Sequence, residues 1–230
     1  MIIDLCIVAT LRPAILYKTM KSFYDKIKYD FEKINFVVNI DMVPIDWDSR
    51  GFINMMLDSL YADRKDSLLL HNFHITYGEG NFAKAVKTVW ENTTSEYVFH
   101  LEDDWEFIRE IDLNKCIEKM GNEDFDYMRF PKINAPHFNC LPKVALQPSL
   151  WRGSVVRELS KHMAINKDPE KQLRTGQGNE ELDRILFKTQ NKGLIDYGKD
   201  CCEDHGRKWC DEHGFKKWNK NNKDVTWAKQ

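Results

Sequence analysis

The chain has 230 residues, 42% hydrophobic and 30% charged, with a net charge of −2. These totals suit one soluble domain with its own core, and they exclude a global basic field that would demand nucleic acid. No apolar run approaches the about 20 residues of a membrane-spanning helix, and six cysteines in a chain this long read as thiols of a reduced, cytoplasmic protein rather than a disulfide scaffold.

The opening MIIDLCIVAT carries Asp4 and lacks both a basic lead and a small-residue cleavage site, so it reads as a strand and not a signal peptide. Its near-continuous apolar run over 2–10 predicts a strand buried on both faces. Thr10, Arg12 and Pro13 break that run, and Leu16, Met20, Phe23 and Ile27 then recur at helical spacing over 14–27. A second buried strand is expected over 34–41, ending on Asp41; a helix-like segment follows over about 51–62, then a strand over 68–75. The turn YGEGN (77–81) leads into a helix over 82–93, with Phe82, Val86, Val89 and Trp90 on one face. The fourth strand, 96–101, runs into Glu102, Asp103 and Asp104.

Strand–helix alternation of this kind predicts an open, mainly parallel α/β sheet flanked by helices, in which ligands bind beyond the carboxyl ends of the strands. The second half is less regular: strands are expected over 125–133 and 143–149 and helices over 153–163 and 179–189. With no linker or repeat, the simplest organisation is one domain. Residues 1–105 would form its ligand-binding half, and 106–230 the acceptor half with a closing C-terminal segment.

Carboxylates at a strand end suit a hard divalent cation, because Mg²⁺ and Mn²⁺ take oxygen ligands. Alternate residues on a strand point the same way, so Glu102 and Asp104 are expected to share a face. The competing reading is a solvated acidic loop.

The segments VATLRP, NID, GEGNFAKAVKTVW and TSEYVFHLEDDWEF, with LQPSLWRGSVVREL later, resemble a GT-A-fold glycosyltransferase of the family-2-like kind, bacterial or phage type. The resemblance covers most of the chain, and EYVFHLEDDW is its most specific part. It implies a Rossmann-like sheet and transfer of a hexosyl or pentosyl group from a nucleotide-sugar donor, UDP-linked by expectation, with Mn²⁺ or Mg²⁺ as cofactor. Glu102-Asp103-Asp104 stands where the family carries its D-x-D signature, departing from it in the first residue. By the resemblance, Asp104 would hold the cation. Thr10, Arg12, Asp41, Asn81, Lys84, Glu102 and Asp103 would line the donor pocket.

The family's general base is an Asp or Glu beyond the D-x-D. Glu180 and Glu181, in GQGNEELDR, and Glu170, in KDPEKQLR, are the candidates; acidic residues in a first helical turn also simply complement the helix dipole. A closing C-terminal loop would bring His205 to the cation and Arg207 to the diphosphate, with His213 as the fallback. The tail also admits a zinc reading, through Cys202, His205, Cys210 and His213, although their spacing matches no common zinc module.

His137 and Phe138 mark an acceptor-side loop. The acceptor would be a glycan or, in a phage, hydroxymethylated cytosine in DNA, approached by Arg129, Lys132, Lys143, Arg152 and the basic tail. The rivals are a catalytically inactive sugar-nucleotide-binding domain, a nucleotidyltransferase, and a zinc-stabilised nucleic-acid-binding module. The turn ATLRPAI lacks the glycines of a nucleotidyltransferase phosphate loop.

Overall fold

A computed structural model describes residues 1–30, 33–42, 70–78, 80–135, 144–174, 176–220 and 224–229. The helix expected over 51–62, and His137, Phe138 and Lys143, lie outside the described residues.

Among the described residues the first half follows the sequence pattern. Strand β1 (Ile2–Thr10) leads to α1 (Pro13–Lys26), the short β2 (Ile27–Lys28), β3 (Lys33–Asp41) and β4 (Leu70–Gly78). Then come α2 (Phe82–Glu91), β5 (Tyr97–Glu102), β6 (Trp105–Phe107), β7 (Ile111–Asp112) and α3 (Leu113–Asn122). The second half contains β8 (Tyr127–Arg129), β9 (Ser149–Arg152), α4 (Gly153–His162), α5 (Pro169–Gln172) and α6 (Glu180–Lys192). It closes with β10 (Ile195–Asp196), β11 (Cys202–Asp204), α7 (Gly206–His213), β12 (Phe215–Lys220) and β13 (Asp224–Lys229).

Seven strands form the central sheet in the order β10-β8-β9-β5-β1-β3-β4. β1 pairs in parallel with β3 and β5, and β3 with β4; β9 is the reversed strand, antiparallel to both β5 and β8. Strand β8 is shorter than the expected 125–133, and β9 begins at Ser149, where the strand expected over 143–149 was to end. Pro131 and Pro148 sit just outside them, and proline cannot donate to a ladder.

Burial on both faces explains the unbroken apolar run of β1. Ile3, Leu5, Ile7 and Ala9 enter one core with Leu16, Met20 and Phe23 of α1, while Cys6 and Val8 enter the other with Val86, Val89 and Trp90 of α2. Alternate residues thus feed two cores, as the strand period of two requires. Asp4 is the exception, fully buried. Its carboxylate accepts from Asn35 Nδ2 (2.8 Å), Ser95 N (2.8 Å) and Ser95 Oγ (2.7 Å), and so anchors the turn that launches β5.

The ladder aligns Thr10 with Asp41 and Val8 with Glu102. The ends of β1, β3 and β5 therefore meet at one carboxyl edge, where the site is built.

Candidate active site

The chain passes from β1 into α1 through a tight turn. Arg12 N donates to Thr10 O (2.7 Å), and Pro13 occupies the first helical position, where its fixed φ suits a helix start. Asp103 holds this turn in place. Its amide donates to Val8 O (3.0 Å), and its carbonyl accepts from Thr19 Oγ1 of α1 (2.6 Å). Its carboxylate accepts from Thr10 N (3.0 Å), Thr10 Oγ1 (3.2 Å), Arg12 Nε (3.2 Å) and, at short range, Arg12 Nη2. The side chains of Arg12 and Asp103 are 5% and 3% exposed, so this is a buried ion pair.

The strand ends at Glu102, and Asp103 and Asp104 form a turn. The shared face expected for Glu102 and Asp104 therefore does not arise from strand alternation. The hydrogen bonds to Thr10 and Arg12 turn the chain instead, and the adjacent aspartates take different surroundings.

Asp104 Oδ2 lies 3.2 Å from Arg12 Nη2. Burial pushes its pKa up to about 6, and the neighbouring charge of Asp103 adds to this. Arg12, divided between two carboxylates, offsets this only in part. The other face of Asp104 meets the start of α7, where a Cβ at Gly206 would overlap Oδ2, so glycine alone permits the approach. His205 N donates to Asp104 O (2.9 Å). Arg12 Nη1 is buried and has no hydrogen-bond partner among the described residues.

The remaining predicted donor-pocket residues gather at the same edge. Asp41 is buried, bonded to Asn39 Nδ2 (2.9 Å) and to the backbone amides of Gly80 and Asn81. Burial raises its pKa. A Cβ at Gly78 would overlap its Oδ1, so Asp41 braces the β4–α2 turn. Asn81 caps α2, accepting from Lys84 N (2.9 Å), and its amide reaches Ile165 O (3.0 Å). Lys84 is exposed on the first turn of that helix.

α4 follows the reversed strand β9, and its last residue, His162, accepts through its carbonyl from Asn179 Nδ2, the cap of α6 (2.9 Å). This contact, with the Asn81–Ile165 bond, brings the starts of α2 and α6 and the intervening α5 towards the carboxyl edge. Glu180 is exposed there, Glu181 pairs with Arg184 (2.7 Å), and Glu170 is half-buried on α5.

The C-terminal segment folds over Arg12. The guanidinium carbon lies 5.3 Å from the Trp209 ring centroid, and Trp209 stacks on His213 (4.3 Å) and Phe215 (5.2 Å). Arg207 is exposed on α7.

His205, expected beside Asp104, meets it through the backbone, while the imidazole Nε2 lies 2.8 Å from Glu106 Oε2 and 3.1 Å from Lys18 Nζ. The sequence reading missed Lys18, Glu106 and Glu203. Its available signal was the alternation Asp104-x-Glu106 and Glu203-x-His205.

The zinc set is not assembled. Cys202 Sγ is buried on Phe130 O (3.3 Å), and His213 is stacked on Trp209. Among the described residues the one metal-compatible group of three is Glu106, Glu203 and His205. Nor do Arg129 and Arg152, among the described residues, share one surface. Arg129 is buried on Asp196 (2.7 Å), and Arg152 pairs with Glu96 (2.8 Å), beside the amino end of β5.

No protein-family model and no curated protein sequence matches the chain. Solved structures share its fold. S. aureus TarS 1-349 superposes with a TM-score of 0.53 at 13% identity, over 88% of this chain and 59% of that one. The mannosyltransferase PcManGT from Pyrobaculum calidifontis, solved with GDP-Man and Mn²⁺, gives 0.58 at 13%, over 87% and 55%. A putative glucose-1-phosphate thymidylyltransferase from Bacillus anthracis gives 0.50 at 12%, over 89% and 90%. The chain thus spans less than two thirds of the first two. Its mixed, mainly parallel seven-stranded sheet flanked by helices is GT-A-like.

Proposed function

We propose that the chain is a glycosyltransferase that moves a sugar from a nucleotide-sugar donor, UDP-linked, to an acceptor hydroxyl. One observation carries this reading: at the carboxyl edge of a GT-A-like sheet, a buried arginine nitrogen without a partner among the described residues stands beside a carboxylate whose charge is under-compensated. A diphosphate oxygen would satisfy Arg12 Nη1, and a divalent cation would satisfy Asp104. The fold neighbours solved with UDP-GlcNAc and with GDP-Man and Mn²⁺ support the donor class.

Asp104 fits a hard cation in charge, oxygen donor type and position. Bound Mn²⁺ or Mg²⁺ supplies Lewis-acid neutralisation of the departing diphosphate. Asp103 holds Arg12 in place and Arg12 binds the diphosphate. Glu102 and the Asp41-braced turn bearing Asn81 and Lys84 border the donor, and Arg207 meets its phosphates from the closing segment. His205, with its imidazole on Glu106, is not counted among the ligands of this cation.

Transfer with inversion requires a base at the acceptor hydroxyl, worth about 10²–10⁴ in rate. Glu181 is engaged with Arg184, so Glu180 and Glu170 are the carboxylates offered. The acceptor class is a glycan, with hydroxymethylated DNA as the second acceptor to screen.

Calorimetric titration of the metal-free protein with a panel of sugar nucleotides, with and without Mn²⁺, tests the reading. Mn²⁺-dependent binding of one donor, lost in Asp104→Ala, is expected. Binding of no donor in the presence of metal would overturn it. The likeness to a thymidylyltransferase favours nucleotidyl transfer as the second reading. Pyrophosphate release from a nucleoside triphosphate and a sugar phosphate would select it.

A further inference from the structure

Glu106 and Glu203 stand directly opposite each other in the antiparallel β6–β11 pair. Like charges so placed repel unless a cation lies between them. His205, two residues beyond Glu203, brings its imidazole to the same point: Nε2 is 2.8 Å from Glu106 Oε2 and 4.0 Å from Glu203 Oε2. The ligand atoms of all three lie within 4.8 Å of one another.

A cation already occupies the focus. Lys18 Nζ is 2.7 Å from Glu106 Oε2 and 3.1 Å from His205 Nε2. Lys18 Nζ and an Nε2–H of His205 can both donate to Glu106 Oε2, and Glu203 Oε2 then meets the group 4.0 Å from His205 Nε2. A metal ion in place of the ammonium would engage all three side chains at once, because imidazole and both carboxylates then present lone pairs to one charge. Lys18 is 49% exposed on a flexible stem, so it can leave; Arg12, buried between two carboxylates, cannot.

We propose that Glu106, Glu203 and His205 form a divalent-cation site of mixed nitrogen and oxygen donors, suited to Zn²⁺, with Lys18 as the resident counter-cation it displaces. One imidazole and two carboxylates are ligand types zinc accepts, and three protein ligands leave a position to solvent. The site is separate from the cation of Asp104 and needs no donor. It ties the start of α7 to β6, and α7 carries Trp209 over Arg12. The bound ion therefore latches the C-terminal segment across the candidate active site.

The test is titration of the chelator-treated full chain with Zn²⁺ by calorimetry, with Mn²⁺ paramagnetic resonance as a second readout. Wild type is expected to bind one ion without sugar nucleotide. Glu203→Gln, which leaves the Lys18–Glu106 pair intact, should weaken binding at least tenfold. Lys18→Met should tighten it about tenfold, an effect that a plain salt-bridge network does not produce. Asp104→Asn should leave it unchanged, so failure here is distinguishable from failure of the donor-site cation. Equal affinity in wild type and Lys18→Met, binding in neither, or stoichiometric binding that survives Glu203→Gln together with His205→Gln would overturn the proposal.

Discussion

Two adjacent aspartates should respond to the same substitution with opposite signs. Asp103 accepts four hydrogen bonds, two from Thr10 and two from Arg12, and pairs with Arg12 at 3–5% exposure. Asp103→Asn keeps the shape, removes the charge, and turns an amide donor towards donors. Removing one partner of a buried ion pair costs roughly 3–5 kcal/mol. At about 2–4 °C per kcal/mol for a chain of this size, the melting temperature should fall by about 6–20 °C.

Asp104 lies on the other side of the balance. Its pKa rises from the usual 3.8 to about 6. A carboxyl raised on folding contributes stability that is fully present below the unfolded value and lost as pH rises through the folded one. At pH 7.5 the ionised group therefore works against the fold by about 3 kcal/mol. Asp104→Asn removes that opposition and weakens one bond from Arg12, so the net change should lie between neutral and a gain of about 1 kcal/mol. Urea unfolding at pH 7.5 with chelator present measures both. Loss of less than about 1 kcal/mol in Asp103→Asn, or equal destabilisation in the two variants, would refute the division of roles, given the size a buried pair should have.

Three further outcomes are expected. Gly206→Ala places a methyl against Asp104 Oδ2, so Mn²⁺-dependent donor binding should weaken at least tenfold while circular dichroism stays native; unchanged binding would detach Gly206 from the site. His100 is buried, accepts from Trp90 Nε1 (3.2 Å), and has its pKa lowered to about 3 by burial, so it must charge on unfolding as pH falls below 6.5. The unfolded state then binds the extra proton, and stability should fall more steeply in wild type than in His100→Gln, by about 1.1 kcal/mol per pH unit on average between pH 6.5 and 5, measured by urea titration. Glu180→Gln should lower kcat by about 10²–10⁴ with donor affinity kept, and Glu181→Gln should not; the reverse pattern in a transfer assay would move the base.

The sequence by itself determined the alternation of strands and helices in the described part of the first half. The unbroken run of β1, the helical spacing of α1 and α2, and Asp41 and the acidic triplet at strand ends follow from side-chain periodicity, which is a local property. Proline at 131 and 148 lies inside the strands expected over 125–133 and 143–149, and β8 and β9 stop short of both. Proximity at the carboxyl edge was legible too, because parallel strands carry their ends to one side. The partner of each charge was not legible. Asp103 and Asp104 are neighbours of identical chemistry, and the pairing of β1 with β5 gives most of the contacts of Arg12, 91 residues from Asp103, to one of them. The antiparallel register of β6 and β11 likewise sets Glu203 against Glu106 and delivers His205, 99 residues from Glu106, to the same point. Such contacts depend on how distant segments align. A spacing rule cannot carry that alignment, and only the tertiary structure decided which carboxylate is locked by Arg12 and Thr10 and which is held by fewer partners.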